Sequence, residues 1–253
     1  DEGGIYTLNA ARSFQTFVRE VDNLLVFDND AWRRTGESMR GGFDEINDEI
    51  ARRFGMLFGA GEVDDGGAVA ESVVDSSEII NTLECGGIST VGYATEAVDP
   101  ASGGGAGLLS RFVGSDADGI GSANTTNRVT SLVRKAALGR LTIPADIDGA
   151  ERALLVVGGP PDALNRKGIE RGRKWLEEET GSMEVRGGDY PLPSSDTVAG
   201  LVLLSGVHNV PRVDELQQVA VEAQDNIAER RDQREDNLQT LVHEGTEQLS
   251  PLF

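Results

Sequence analysis

Asp75 and Glu78 stand three residues apart, so within one helical turn their carboxylates point the same way. Two acids so placed can orient a water molecule or a cation. In a chain with 43 acidic residues, a D-x-x-E also reads as a solvated acidic turn. Phe43 and Asn47 are four residues apart and share one helix face near its amino-terminal end. A ring there can stack on a planar base, worth roughly 1–3 kcal/mol, and an amide can bond that base's polar edge. On spacing alone Phe43 is equally a core or staple residue, and Asn47 a polar residue of the first turn. Asn29 lies in Asp28-Asn29-Asp30, a polar loop at the end of the apolar run LLVF. Ligands sit at that end of strands in open α/β sheets, although a D-N-D loop is also simply a turn.

Other chemistries find little support. His208 and His243 are far apart, and no His/Cys/Asp spacing reads as a metal site. Cys85, the single cysteine, allows no internal disulfide and reads as a small buried residue. Ser205-Gly206 lacks the G-x-S-x-G elbow. There is no GxxxxGK[ST] motif, and the glycines from Gly103 to Gly107 lie in low-complexity sequence without strand-to-helix context.

The elements that must position these residues follow from periodicity. Ile5 to Val21 predicts an amphipathic helix, and Leu24 to Phe27 a buried strand. Arg33 to Gly42 reads as helix plus turn. From Phe43 a strong helix carries Ile46, Ile50, Phe54, Leu57 and Phe58, with Gly59 and Gly61 as its stop. A short helix is expected over Ala68 to Leu83, a strand over Ile88 to Tyr93, and a long insertion or mobile loop over Glu96 to Asn124. Thr125 to Leu141 predicts a helix, ERALLVVGG (Glu151 to Gly159) a core strand, and Arg166 to Thr180 a charged helix stopped by Gly181. SMEVRGGDY and Ala199 to Val207 read as strands, making a small mixed sheet distinct from the first part. Pro211 opens a long helix from Val213 to about Glu244, whose ERRDQRED half reads as a solvated face.

Composition bounds the rest. The 253 residues suit one large domain or two small ones, with a mostly aliphatic core. The formal charge is −20, and only Lys135, Lys167 and Lys174 among the 23 basic residues are lysines. Such a surface stays soluble in concentrated salt, which screens its self-repulsion. It speaks against nucleic acid as a partner, which needs a basic face. No stretch approaches the roughly 20 apolar residues of a transmembrane segment. The opening Asp1-Glu2-Gly3-Gly4 shows no signal-peptide pattern, and it reads as the start of a fragment.

Several segments resemble the tubulin/FtsZ superfamily. EGG near the start resembles the pair that follows FtsZ's glycine-rich phosphate loop. VDNLLVFDND resembles the strand and loop that touch ribose and guanine, FDEINDEI the start of the core helix, and VVDSSEIINTL the catalytic loop with its two acids. GGISTVGYATE, TTNRVTSLVRKAALGR and NRKGIERGRKWLEEETGSMEVRGGDYP are most similar to the archaeal CetZ group. This chain has Tyr6 where FtsZ carries a basic residue, and Val73 where it carries Asn.

The resemblance implies an α/β fold of tubulin/FtsZ type. Residues 1–42 would be the remnant of a Rossmann-like GTP-binding domain and 43–61 the central connecting helix. Residues 62–212 would be an α+β C-terminal domain with the catalytic loop, and 213–253 a C-terminal helix and tail. It further implies GTP/GDP as cofactor, with Mg2+, and binding by Glu2, Asn29, Phe43 and Asn47. Asp75 and Glu78 would be the catalytic pair, acting in the pocket of the next subunit of a head-to-tail protofilament. The implied setting is the cytoplasm, and the implied role archaeal cell shape or motility. Lacking a glycine-rich phosphate loop, the chain by itself is expected to be inactive. Two other readings are a non-enzymatic fragment that caps or modulates such filaments and, more remotely, an adaptor of unrelated origin.

Overall fold

A computed structural model describes residues 4–32, 39–60, 74–98 and 117–247. Two units separate. The first contains α1 (Gly4–Glu20) and α7 (Pro211–Glu247), which pack on each other. Along α7, Val213, Leu216, Ala220 and Ala223 are half-buried at three- and four-residue steps, while Leu238, Leu241 and Val242 are exposed.

The second unit spans Val21–Val210. Its elements are β1 (Asn23–Leu25), α2 (Asn29–Trp32), α3 (Met39–Ala60), α4 (Ser76–Leu83), β2 (Gly87–Ala97) and α5 (Ala117–Leu138). There follow β3 (Arg152–Gly159), α6 (Arg166–Thr180), β4 (Glu184–Pro191) and β5 (Thr197–Ser205). The strands form one sheet in the order β1-β2-β5-β3-β4; β1 runs parallel to β2 and β3 to β4, while β5 is antiparallel to both its neighbours. The last three strands are therefore not a sheet of their own, because β1 and β2 complete the same ladder.

Every residue of β5 from Val198 onward is buried, as is β3 from Ala153, which is the apolar-run pattern of strands covered on both faces. On one face Leu154, Val156, Val91, Leu201 and Leu203 pack against Met56 and Leu57 of α3 and against Val74 and Ile79 at α4. On the other face lie α5 and α6. Close approach there depends on missing side chains: a Cβ on Gly92 would stand 2.0 Å from the Ala136 carbonyl oxygen.

Several predicted boundaries move. α3 runs through Gly59 to Ala60, so Gly59 lies within the helix, where a Cβ would come 2.9 Å from the Tyr190 hydroxyl; Gly61, the other expected stop, lies outside the described residues. The helix expected over Ala68 to Leu83 begins at Ser76, with Val74 and Asp75 outside it and its expected first part outside the described residues. α5 starts at Ala117, inside the stretch expected to be a loop, and ends at Leu138; Leu141 instead bridges to Gly92. β2 extends to Ala97, since its whole length pairs with β5. α6 has the predicted limits, with the Asn165 side chain as amino-terminal cap and Gly181 in the left-handed region at φ 69°.

Candidate functional site

Asp75 sets the geometry of the acidic turn. Its backbone is extended (φ −109°, ψ 170°), and its carboxylate accepts the Glu78 backbone N–H at 3.0 Å and the Ser77 hydroxyl at 2.5 Å. It is the N-cap of α4, and Glu78 is the third helical residue. D-S-S-E followed by two isoleucines is thus also the start signal of a helix. Val74, fully buried just before the cap, packs in the same cluster as Ile79 and pins the entry of the chain. The sequence signal for this arrangement, an acid at the cap and a glutamate three residues later, was present beside the catalytic reading.

The two acids sit in different environments. Asp75 is exposed, and the Ser77 hydroxyl, then the Glu78 N–H, hold its carboxyl below the ordinary 3.8. Glu78 is half-buried; burial first, and the Asp75 charge second, push its carboxyl above the ordinary 4.5, with Arg186 acting in the opposite direction. Among the described residues, the half-buried Glu78 carboxylate makes no hydrogen bond. Environments that drive two neighbouring carboxyls apart are typical of acid–base sites, although structural networks do the same.

The expected base-binding residues lie on α2 and α3. Phe43 is 44% exposed, so it is not a core residue, and Asn47, one turn on, is exposed as well. Asn29 opens α2 and is exposed. Its turn is held by Asp28, whose N–H donates to the Thr142 carbonyl at 2.8 Å and whose carboxylate accepts the Asp30 N–H at 3.1 Å. α2 is anchored by Trp32, whose indole N–H donates to the Leu141 carbonyl at 3.1 Å. The guanidinium groups of Arg53 and Arg140 lie over the Trp32 ring at 4.4 and 4.9 Å. Arg53, only 2% exposed, belongs to α3, so this stack ties α2 to the helix that carries Phe43 and Asn47. Glu2 lies outside the described residues.

Among the described residues no group of three or more His, Cys, Asp or Glu could hold a metal ion. Nor is any helix there long and apolar enough to cross a membrane.

The family description "Tubulin-like CetZ, C-terminal domain" matches residues 36–222. Tubulin-like protein CetZ1 of Haloferax volcanii is 76% identical over 233 residues, covering 91% of this chain and 59% of that protein. CetZ3 of the same organism is 62% identical over 253 residues, covering 100% of this chain and 64% of that protein. The chain thus spans about three-fifths of the length of these curated relatives. The GDP-bound monomer of Haloferax volcanii CetZ1 superposes with a TM-score of 0.72 at 67% identity, over 88% of this chain and 57% of that one. The GTPγS-bound protofilament of CetZ2 gives 0.72 at 44% identity, over 90% and 59%. FtsZ of M. jannaschii, 18% identical at a TM-score of 0.58, shares the fold. A family match over most of the chain, and the same architecture in its solved members, make this chain a member of the tubulin-like CetZ family.

Proposed function

We propose that this chain is the part of a CetZ-type cytoskeletal GTPase that carries the base-binding helix and the water-orienting acids. In the full-length protein, for which the greater length of its relatives leaves room, a phosphate-binding half would complete the nucleotide site. Phe43 would stack on guanine, Asn47 bond its edge, and Asn29 and Glu2 meet base or ribose. Asp75 and Glu78 would enter the nucleotide site of the next subunit, as a head-to-tail contact that does not close gives a filament. Phosphoryl transfer asks chiefly for positioning and electrostatics, and the pair can supply both. Asp75 is held ionised and fixed by its capping bonds, while Glu78 presents a half-buried carboxylate to a water. Any Mg2+ would arrive with the nucleotide's phosphates. The expected setting is the cytoplasm and the expected role cell shape.

The observation that carries this reading is the first turn of α4: one acid spent on capping, the other open, in a chain similar to a nucleotide-bound protofilament subunit. The test is Glu78→Ala in the full-length protein. Filaments should still assemble with GTP, and turnover should fall by roughly 10²-fold or more. Hydrolysis at the wild-type rate would remove Glu78 from the reaction.

A second reading takes the chain as a non-enzymatic modulator that presents the acidic turn to filament ends. The sequence favours it in one respect: no glycine-rich phosphate loop occurs in its 253 residues. Adding this chain to assembling full-length protein should then change GTP turnover, and an unchanged rate would count against it.

A further inference from the structure

We propose that Arg186 is a positioning residue of the acidic turn, a cation placed on β4 beneath the first turn of α4 that supports the water-orienting role of the Asp75–Glu78 pair. The inference rests on the reading of that pair as the water-orienting acids.

The placement follows from the register of β3 and β4. Arg152 opens β3, and its Cα partner on β4 is Glu184. The Arg152 Nε is 2.7 Å from the Glu184 carboxylate, and its Nη1 donates to the Asn81 carbonyl of α4. Glu184 therefore lies level with Asn81. Arg186 stands two residues further along β4, on the same face and about 6.6 Å on. One turn back from Asn81, about 5.4 Å along the helix axis, are Ser77 and Glu78. Leu154, the Cα partner of Arg186, packs in the cluster that holds Val74 and Ile79, so this is the face α4 covers.

The chemistry agrees with the placement. Arg186 is half-buried, and its Nε is shielded from solvent without a hydrogen-bond partner. A guanidinium has five N–H donors, and a fold seldom leaves them unpaired without another use. Its charge acts on both acids, drawing each towards ionisation. The other groups around Glu78 offer no substitute. Asp75, the cap of its helix, is the other charge acting on Glu78, and Arg152 of β3 is engaged with Glu184 and Asn81. Among the described residues Arg186 is thus the one cation acting on the pair. Without it, burial and the Asp75 charge would both drive Glu78 towards the neutral acid, which is a poor acceptor for a water proton. Because the site is half-buried, salt screens this interaction less than one on the surface.

The test is GTP turnover of the full-length protein against pH, with assembly followed by sedimentation. Arg186→Gln should assemble normally while the acid limb moves to higher pH, with roughly tenfold lower turnover on that side that recovers as pH rises. Arg186→Lys, which keeps the charge and disturbs packing less, should hold the limb near the wild-type position. A Gln profile that overlays the wild type, or is scaled down evenly at every pH, overturns the proposal. So does a Lys variant whose limb is displaced, and that result is readable even where the Gln variant fails to fold. Glu78→Ala separates the two claims. If Glu78→Ala leaves turnover intact, the reading of the pair fails. If Glu78→Ala abolishes turnover while Arg186→Gln moves nothing, only the role of Arg186 falls.

Discussion

The Asp75 carboxylate accepts the backbone N–H of Glu78 at 3.0 Å, so the first acid of the pair caps the helix that presents the second. The bond orients Glu78 through its own backbone. It also means that removing Asp75 has two effects, one on the helix and one on the charge of the site.

Those effects can be parted by choice of substitution. Asparagine caps a helix about as well as aspartate, so Asp75→Asn should melt within a degree or two of the wild type. Asp75→Ala, which loses the cap, should melt measurably lower. In the full-length protein both should reduce GTP turnover if the charge matters. A wild-type rate for the Asn variant would confine Asp75 to capping.

The two acids predict opposite pH dependence of stability. Asp75 has a lowered folded value, so its contribution is present above 3.8 and is lost as pH falls from there through the depressed value. Glu78 has a raised folded value, so the fold favours its neutral form. Its contribution is complete below 4.5 and is lost as pH rises from there through the raised value. Glu78→Gln, which mimics the neutral acid, should therefore raise the melting temperature at neutral pH and leave it nearly unchanged at the acid end. An equal shift at both would contradict the environment assigned to Glu78.

Phe43 is exposed enough that truncation should barely touch stability, within about 0.5 kcal/mol. If it stacks on a base, Phe43→Ala in the full-length protein should weaken guanine-nucleotide binding by the roughly 1–3 kcal/mol of a stacking contact, and Phe43→Tyr should restore it. Equilibrium binding of GDP to both variants decides the matter.

The net charge of −20 predicts a strong salt response. Raising KCl from 0.15 M to 1 M shortens the screening length from about 8 to about 3 Å and weakens repulsion among the acids. The melting temperature should climb steadily with KCl. A flat profile from low to multimolar salt would mean that the acids are already balanced in the fold.

Local signals served where both ends of an element were marked. α6 could be delimited because Asn165 caps one end and Gly181 supplies the left-handed residue at the other. They misled at Gly59, which looks like a helix stop yet lies inside α3, close against the ring of Tyr190 from a distant strand. They were silent on strand length, since the reach of β2 to Ala97 depends on a partner, β5, about a hundred residues away. The site divides the same way. Asp75, Glu78, Phe43 and Asn47 were all visible as pairs at helical spacing; Phe43 and Asn47 do share α3, whereas Asp75 stands just outside α4 as the cap of the helix that carries Glu78.

What the sequence by itself determined is what short-range rules decide: the helical spacing of each pair, the acidic surface, the buried strands and the family they resemble. Only the tertiary structure could decide which charges meet. Arg186 lies more than a hundred residues from Asp75, and nothing around it marks it as part of a site. It comes under the first turn of α4 because β4 pairs with β3 in one register and α4 lies across that face. Periodicity acts along the chain, but the field at a carboxylate is summed over whatever the fold brings near it.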